Sequence, residues 1–200
     1  AVLAKHPHVL ILSDEIYEHI LFDGREFVSF GKACPELKDR TLIVNGVSKS
    51  YAMTGWRVGW IVAPPEIGNV LENLIQYSTS GVAPFMQRGA VAALDNGDDF
   101  VAQNIARATQ ARDILCDRLI ATNRVETLKP EGALYAFLKI DGITDSRQAA
   151  FDIVDRTGVG LAPGTAFGAG GEAFLRACFL RNAKQIEEAA DRLSRYILAL

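Results

Sequence analysis

A lysine and an arginine stand apart from other charges in one stretch of small and apolar residues. In the run NGVSKSYAMTGWRVGW, from Asn45 to Trp60, Lys49 and Arg57 are the charged side chains. A lysine in a tight, partly desolvated site loses its proton more readily and can form an imine with an aldehyde. The planar guanidinium of an arginine suits phosphate oxygens. A lone lysine near a strand end is more often a solvated side chain, but Gly46 and Ser48 beside it allow a ligand to approach closely.

A second group of candidate residues, SDEIY from Ser13 to Tyr17, follows an apolar run that predicts a strand. Open α/β sheets bind ligands at the carboxyl ends of their strands. Because side chains alternate between the two faces of a strand, Asp14 and Ile16 are expected to point to the same side. A carboxylate beside an apolar platform suits a flat heteroaromatic ring with a basic nitrogen. The alternative is a helix N-cap, in which Ser13 or Asp14 accepts hydrogen bonds from free backbone N–H groups and Tyr17 packs.

Together, a nucleophilic lysine, an acid for a ring nitrogen and an arginine for a phosphate describe a site for pyridoxal 5'-phosphate (PLP). The stretch around Lys49 resembles the lysine signature of the class I/II, fold-type I, PLP-dependent aminotransferases. Every position of that signature is met, by Gly46, Val47, Ser48, Lys49, Ala52, Met53, Gly55, Arg57, Val58 and Gly59. SDEIY is similar to the family's Asp-any-apolar-Tyr segment, and AMTGWR is typical of the aspartate aminotransferase-like branch.

The resemblance implies a role for each matched residue at the cofactor. Lys49 would hold the cofactor aldehyde as an imine and later shuttle the α-proton of the substrate. Asp14 would pair with the pyridinium nitrogen, and Tyr17 would donate a hydrogen bond to the 3-oxygen of the ring. Ile16 would pack on one face of the ring, and Arg57 would bind the phosphate.

Two further assignments follow from the resemblance. Some family members have a serine where this chain has Gly46, so Ser48 is the possible substitute for that hydroxyl contact to the phosphate. FLRACF resembles the strand whose arginine binds the α-carboxylate of the substrate, which makes Arg176 the candidate for a bidentate contact. Arg181 is the rival, in the polar stretch that leads to the last predicted helix. The alternative for Arg176 is an ordinary cation on a strand edge.

Two other segments of the second half fit the family. PEGALYAFLKI resembles the Pro-any-Gly-aromatic turn, although Ala133 and Leu134 precede the aromatic residue. GVGLAPGTAFG, from Gly158 to Gly168, is similar to the small-domain segment that closes over the site. We expect Tyr135 and Phe167, which lie in these segments, to pack rather than to contact the substrate.

Strands and helices must position these residues, and their patterns predict an α/β fold. The apolar runs 9–13, 41–45 and 58–63 have the pattern of parallel strands buried on both faces. Helical spacing covers 66–78, 84–94 and 100–121. The rest predicts a strand, a turn and a strand over 125–140, a helix ended by Gly158, two short strands and a terminal helix over 182–199.

The domain prediction follows from these elements and from the resemblance. Residues 1–97 would be the remainder of a PLP-binding large domain with a mostly parallel sheet and helices. Residues 98–120 would be a connecting helix, and residues 121–200 a smaller α+β C-terminal domain. The resemblance covers essentially all 200 residues but only about the C-terminal half of the family's usual chain. We therefore expect this stretch alone to be a poor catalyst.

Composition excludes several other classes of function. A net charge of -3 with scattered basic residues is not typical of a protein that binds nucleic acids or membrane surfaces. The longest apolar run is too short to cross a bilayer. Three cysteines at irregular spacings predict reduced thiols and a cytoplasmic protein. His6, His8 and His19 show no metal-ligand spacing, and no metal is expected.

The predicted reaction is transamination between an α-amino acid and a 2-oxo acid. Aspartate is a plausible donor because of the branch resemblance, and alanine and aromatic amino acids stay open. The family also implies a homodimer with its sites at the subunit interface. Two alternatives remain: a PLP-dependent carbon–sulfur lyase, and the non-catalytic PLP-sensing domain of a regulator.

Overall fold

The computed structural model describes residues 2–200, and these fall into two compact units. The first unit ends at Ala102, and the second runs from Gln103 to Leu200. Each unit has its own β-sheet, with three strands in the first and four in the second. Helices alternate with the strands, so the α/β class predicted from the sequence is confirmed.

The first unit builds its sheet in the order β1-β2-β3. Strands β1 and β2 are parallel, and β3 runs antiparallel to β2. The elements of this unit are β1 (Ile11–Asp14), α1 (Phe30–Ala33), β2 (Thr41–Gly46), β3 (Gly59–Val62), α2 (Gly68–Thr79) and α3 (Pro84–Asn96).

Two features of this sheet correct the sequence prediction. The strands were expected to be parallel and buried on both faces, yet β3 is antiparallel, and Leu12 and Val62 are 66% and 59% exposed. Strands β1 and β3 are the two edges of the three-stranded sheet. An apolar run shows that a strand has two apolar faces, but burial also requires neighbouring elements on both faces. Such a short run does not indicate whether the strand pairs in the parallel or the antiparallel direction.

The second unit contains most of a long helix and four antiparallel strand segments. Helix α4 (Asp98–Ile120) begins in the first unit, and its bounds match the helix predicted over 98–120. The sheet order is β4-β5-β7-β6, and every pairing is antiparallel. The remaining elements are β4 (Val125–Glu126), β5 (Tyr135–Ile140), α5 (Ser146–Thr157), β6 (Ala162–Pro163), β7 (Phe174–Cys178) and α6 (Ala183–Leu198).

Local signals in the sequence explain where the helices of the second unit begin and end. The side chain of Asp145 accepts a hydrogen bond from the backbone N–H of Gln148, and Asn182 does the same for Gln185, each at 2.9 Å. Such caps satisfy N–H groups that have no partner inside the helix. Helix α5 ends at Gly158, whose φ of 71° lies in the left-handed region that favours glycine. The predicted helix ended by Gly158 and the predicted terminal helix over 182–199 are thereby confirmed.

The sheet of the second unit separates a core face from an aromatic face. Side chains alternate along β5 and β7, so that one set is buried and the other is not. The buried set of the second unit's core comprises Ala136, Leu138, Ile140, Leu175 and Ala177 from these strands, with Ile153, Ile186, Ala190, Leu193 and Ile197 from α5 and α6. The opposite face carries Tyr135, Phe137, Phe174 and Arg176, and this placement fixes the direction in which Arg176 points.

Across residues 2–200, no helix has both the length and the apolar character that a membrane crossing requires. Cys34, Cys116 and Cys178 are free cysteines. Burial raises the pKa of the Cys116 thiol to about 11. The cytoplasmic location and the assignment of the two units to a large and a small domain stay predictions.

Candidate active site

The candidate residues of the first unit gather at one edge of its sheet. Asp14, the last residue of β1, is paired with Val44 of β2. Gly46 ends β2 and is paired with Gly59, which begins β3. The turn after β2 and the segment before β3 therefore leave the sheet at the same edge as the carboxyl end of β1. Ligands of open α/β sheets bind at this kind of edge.

Lys49 lies in the turn that follows β2, beside an aromatic ring. Its Nζ atom is 5.9 Å from the centroid of the Tyr17 ring. The side chain of Lys49 is half-buried, and its carbonyl accepts a hydrogen bond from the N–H of Ala52 at 3.2 Å. Ala52 has a positive φ of 53°, a conformation of tight turns. Lys49 therefore lies half-buried at the sheet edge, next to the Tyr17 ring.

Asp14 is exposed at the end of β1 and shapes the chain that follows it. Its Oδ1 atom accepts a hydrogen bond from the N–H of Ile16 at 3.2 Å. The residues after it form a turn rather than a helix, so the helix-cap interpretation is not what the structure shows. A Cβ atom built on Gly46 would lie 3.4 Å from Cδ1 of Ile16, which puts the Ile16 side chain beside the end of β2.

Glu15 is a structural residue that the sequence prediction missed. It is buried, and its Oε1 atom accepts hydrogen bonds from the hydroxyls of Ser13 and Ser29, at 3.0 and 3.1 Å, and from the N–H of Phe30, at 2.9 Å. The alternation of side chains along a strand was the available signal, because it points Glu15 away from Asp14. Glu15 thus anchors the end of β1 to helix α1, and Asp14 remains at the surface.

Two glycines of the lysine signature allow β2 and β3 to approach each other. A Cβ atom on Gly46 would lie 2.8 Å from the carbonyl oxygen of Val58, and one on Gly59 would lie 2.8 Å from that of Asn45. Side-chain carbons do not approach backbone oxygens so closely without displacement. The glycine spacing therefore sets the distance between the two segments that carry Lys49 and Arg57.

Arg57 and Ser48 lie in the same turn region. Arg57 is exposed, its φ of 55° is left-handed, and its Nη1 atom donates to the carbonyl of Thr54 at 2.8 Å. Ser48 is half-buried and directly precedes Lys49. The structure thus brings Asp14, Ile16, Tyr17, Ser48, Lys49 and Arg57 to one edge of the first unit.

Tyr51 is a second residue of this region that the sequence prediction did not name. Its side chain is buried, and its ring meets that of His19 edge to face, with 6.2 Å between centroids. Burial raises the pKa of the Tyr51 hydroxyl, and the negative charges of Asp98 and Glu18 raise it further. The phenol therefore stays protonated and neutral at physiological pH.

Arg176, the predicted carboxylate ligand, lies in the second unit on strand β7. It is paired with Phe137 on one side and with Ala162 on the other. Its guanidinium carbon is 4.2 Å from the centroid of the Tyr135 ring and 4.0 Å from that of Phe167. Both aromatic residues do pack, as predicted, and the side chain against which they pack is Arg176.

The chemistry of these donors fits PLP. The first unit offers a primary amine, a carboxylate, a phenol and a guanidinium at one edge, and each matches a different group of that cofactor. No cluster of His, Cys, Asp or Glu in the described part of the chain, residues 2–200, is arranged to hold a metal ion.

Residues 1–193 match the model of the family "Aminotransferase class I and II". The chain belongs to this aminotransferase family. Members of the family are generally PLP-dependent, in agreement with the donor set described above.

Relatives of known sequence carry aminotransferase names. The chain is 36% identical to the probable aspartate/prephenate aminotransferase of Rickettsia bellii, over 97% of this chain and 51% of the relative. It is 35% identical to the aspartate aminotransferase of Rhizobium meliloti, over 96% and 49% of the two chains. The chain therefore spans about half the length of these relatives.

Solved aminotransferase structures share the fold. The crystal structure of the aspartate aminotransferase from Rhizobium meliloti matches with a TM-score of 0.91 and 33% identity, over 98% of this chain and 51% of the other. The aromatic aminotransferase from Pyrococcus horikoshii OT3 matches with a TM-score of 0.89 and 29% identity, over 98% and 53%.

Proposed function

We propose that this protein is a PLP-dependent aminotransferase that moves an amino group from an α-amino acid to a 2-oxo acid. The observation that carries the proposal is the position of Lys49, half-buried at the sheet edge with its Nζ atom 5.9 Å from the Tyr17 ring centroid. Asp14, at the end of β1, and Arg57, just before β3, lie at that same edge. Family membership supports the reaction type.

PLP, when bound, supplies an aldehyde that reacts with amines and a ring that withdraws electrons from the α-carbon of the amino acid. Lys49 would hold the cofactor through its Nζ atom, and the same amine would serve as the general base for the α-proton. Asp14 would keep a proton on the ring nitrogen, since a carboxylate stabilises the charged form of a neighbouring base. Tyr17 donates from its hydroxyl to the 3-oxygen.

Three other residues complete the proposed cofactor site, and one residue serves the substrate. Arg57 binds the phosphate, to which Ser48 adds a hydroxyl donor, and Ile16 packs on a ring face. Arg176 binds the α-carboxylate of the substrate through two parallel N–H donors.

Aspartate is the donor that we propose first. The named relatives from Rickettsia bellii and Rhizobium meliloti act, by their names, on aspartate. Prephenate and aromatic amino acids are the next compounds to compare, because they occur in the names of a relative and of a similar structure. A homodimer with its sites at the subunit interface is proposed on the family resemblance.

The experiment that tests the proposal locates the cofactor on the chain. The 200-residue protein is incubated with PLP, reduced with borohydride and mapped by peptide mass spectrometry. We expect one pyridoxyl group on Lys49 in the wild-type chain and none at this position in Lys49→Arg, which keeps the charge but not the nucleophile. Addition of aspartate before reduction is expected to change the absorbance of the wild-type sample and to reduce the labelling.

Lys38→Arg is the matched control, because Lys38 is an exposed lysine of the same unit. This variant is expected to label Lys49 as the wild type does. Labelling spread evenly over exposed lysines, or equal labelling of wild type and Lys49→Arg, would falsify the assignment of Lys49. Release of ammonia from an amino acid without any 2-oxo acid would instead identify a lyase.

A further inference from the structure

The side chain of Arg176 is enclosed by two aromatic rings from different elements. Tyr135 lies on β5, next to the strand that carries Arg176, at 4.2 Å from the guanidinium carbon. Phe167 ends the 3-10 turn Gly164–Phe167 and lies at 4.0 Å. Both distances are well within the range of a cation–π contact, for which about 6 Å is the limit.

The ring of Phe167 is carried by a segment in which two glycines, Gly164 and Gly171, lie in close contact. A Cβ atom on Gly164 would overlap the carbonyl oxygen of Gly171 and would lie 2.7 Å from that of Phe174. A Cβ atom on Gly171 would in turn overlap the backbone of Gly164. The segment 164–171 is therefore folded back on itself so tightly that a side chain at either position would push it apart.

Further aromatic contacts support the ring of Phe167. Phe137, the residue opposite Arg176 on β5, meets Phe167 edge to face at 6.3 Å between centroids. Phe137 also stacks on Phe174 with 4.8 Å between centroids and 6° between ring planes. Phe167 is half-exposed, so its position depends on these contacts and on the turn that carries it rather than on burial in a core.

We propose that Phe167 is a positioning residue for Arg176 and that the Gly164–Gly171 contact holds it in place. The inference rests on the proposed function of Arg176 as the carboxylate ligand and adds what orients that ligand. A long arginine side chain samples many rotamers, and a bidentate contact requires one of them. With rings against the guanidinium, the side chain keeps its orientation and offers its N–H edge to a carboxylate before the carboxylate arrives.

The test follows the Nε–Hε signal of Arg176 by nuclear magnetic resonance in the 200-residue chain. The signal is assigned by its disappearance in Arg176→Gln. Ring currents from Tyr135 and Phe167 shift this signal in the wild type. We expect Phe167→Leu to lose a large part of the shift and Phe167→Tyr to keep it.

Binding of 2-oxoglutarate, a 2-oxo acid, is then titrated by isothermal titration calorimetry, which can be applied to every variant, including Arg176→Gln. Phe167→Leu is expected to bind it roughly three- to tenfold more weakly, the range that the loss of a cation–π contact gives. Phe167→Tyr is expected to bind as the wild type does, because the ring is restored. Phe174→Leu is the comparison: it removes the stack on Phe137 but keeps the ring that lies on Arg176, so it should weaken binding less than Phe167→Leu does.

The glycine contact has its own pair of variants. Gly171→Ala is expected to shift the Arg176 signal in the same direction as Phe167→Leu. Gly170→Ala is the control, because no atom lies within 4 Å of a Cβ atom built there. If both alanine variants keep the wild-type signal, the glycine contact does not hold Phe167.

The outcomes separate this inference from the proposed function. If 2-oxoglutarate binds equally well to wild type and to Arg176→Gln, Arg176 does not bind the substrate carboxylate, and the inference about Phe167 fails as well. If Arg176→Gln abolishes binding while Phe167→Leu binds normally, the role of Phe167 alone is overturned. Labelling of Lys49 by PLP tests the proposed function independently of either result.

Discussion

Two neighbouring carboxylates divide their tasks according to the side of β1 on which each lies. Asp14 is exposed at the sheet edge, while Glu15 is buried and accepts three hydrogen bonds through one oxygen. One of its donors is the N–H of Phe30, the first residue of α1. Glu15 therefore fixes the segment that carries Asp14, and the candidate cofactor site depends on a carboxylate that never faces it.

Replacement of Glu15 is expected to destabilise the first unit. Glu15→Ala removes the acceptor for two hydroxyls and one backbone N–H, and unsatisfied buried donors cost roughly 1–3 kcal/mol of the free energy of unfolding. Glu15→Gln keeps a carbonyl oxygen as acceptor, so its loss should be smaller. Urea denaturation followed by tryptophan fluorescence measures both changes, because Trp56 and Trp60 lie in this unit.

The exposed Glu26 provides the control for this prediction. Glu26→Ala is expected to change the free energy of unfolding by less than about 0.5 kcal/mol, as exposed substitutions usually do. If Glu15→Ala and Glu26→Ala prove equally stable, the hydrogen bonds of Glu15 do not hold the end of β1.

At the scale of single residues, the sequence predicted the candidate residues that stand in short linear motifs. Lys49, Arg57 and Asp14 stand in signatures whose spacing is visible along the chain, and the structure brings them to one sheet edge. The contacts of Glu15 with Phe30, and of Phe167 with Arg176, join residues of different elements. Alternation along the strand could have placed Glu15 on the side away from Asp14, and Phe167 was expected to pack, but the partner of each residue could be found only in the folded chain.

At the scale of elements, the close approach of β2 and β3 holds Lys49 and Arg57 to the same edge. Helix bounds were predicted well because caps, prolines and glycines mark them locally, as Asn182 and Gly158 do. The direction of β3 was not predicted, since it depends on which strand edge is available for pairing. Gly46 and Gly59, at the β2–β3 contact, are the residues in the sequence that indicate this pairing.

Gly59→Ala is expected to push these two strands apart. Its Cβ atom would lie 2.8 Å from the carbonyl oxygen of Asn45, and overpacking of this kind costs roughly 1–3 kcal/mol of the free energy of unfolding. We also expect less labelling of Lys49 by PLP, because the turn after β2 shifts. Urea denaturation and peptide mapping measure the two effects.

Gly55→Ala is the matched control from the same signature, because a Cβ atom on Gly55 would meet nothing within 4 Å. It should change the free energy of unfolding by less than about 0.5 kcal/mol. Equal stability of the two alanine variants would contradict a steric role for Gly59.

At the scale of the whole molecule, the buried side chains are distributed unevenly between the two units. Phe22 and Val47 are fully buried in the first unit. The second unit has a larger set: Cys116, Leu119, Leu138, Ile153, Leu175, Phe179, Leu193 and Ile197. Apolar side chains such as Leu12 and Tyr77 are exposed in the first unit, at 66% and 90%. Composition could not predict this difference, because both units contain apolar runs.

The uneven core predicts that the first unit unfolds at a lower urea concentration than the second. Burial of apolar surface is the main stabilising contribution to folding, so the unit with fewer buried side chains should lose its structure first. Both tryptophans, Trp56 and Trp60, lie in the first unit, so fluorescence reports on that unit alone. Circular dichroism at 222 nm follows helices of both units, because α2 and α3 lie in the first and α5 and α6 in the second. We expect the fluorescence transition to precede the final loss of the helical signal.

Leu193→Ala tests whether the two transitions are independent, because Leu193 is 1% exposed in the second unit. The lost contacts and the cavity are expected to lower the free energy of unfolding by about 2–5 kcal/mol. This change should move the final circular dichroism transition to lower urea and leave the fluorescence transition in place. Movement of both transitions together would show that the two units unfold as one cooperative structure, and the cores would then have to be counted as one.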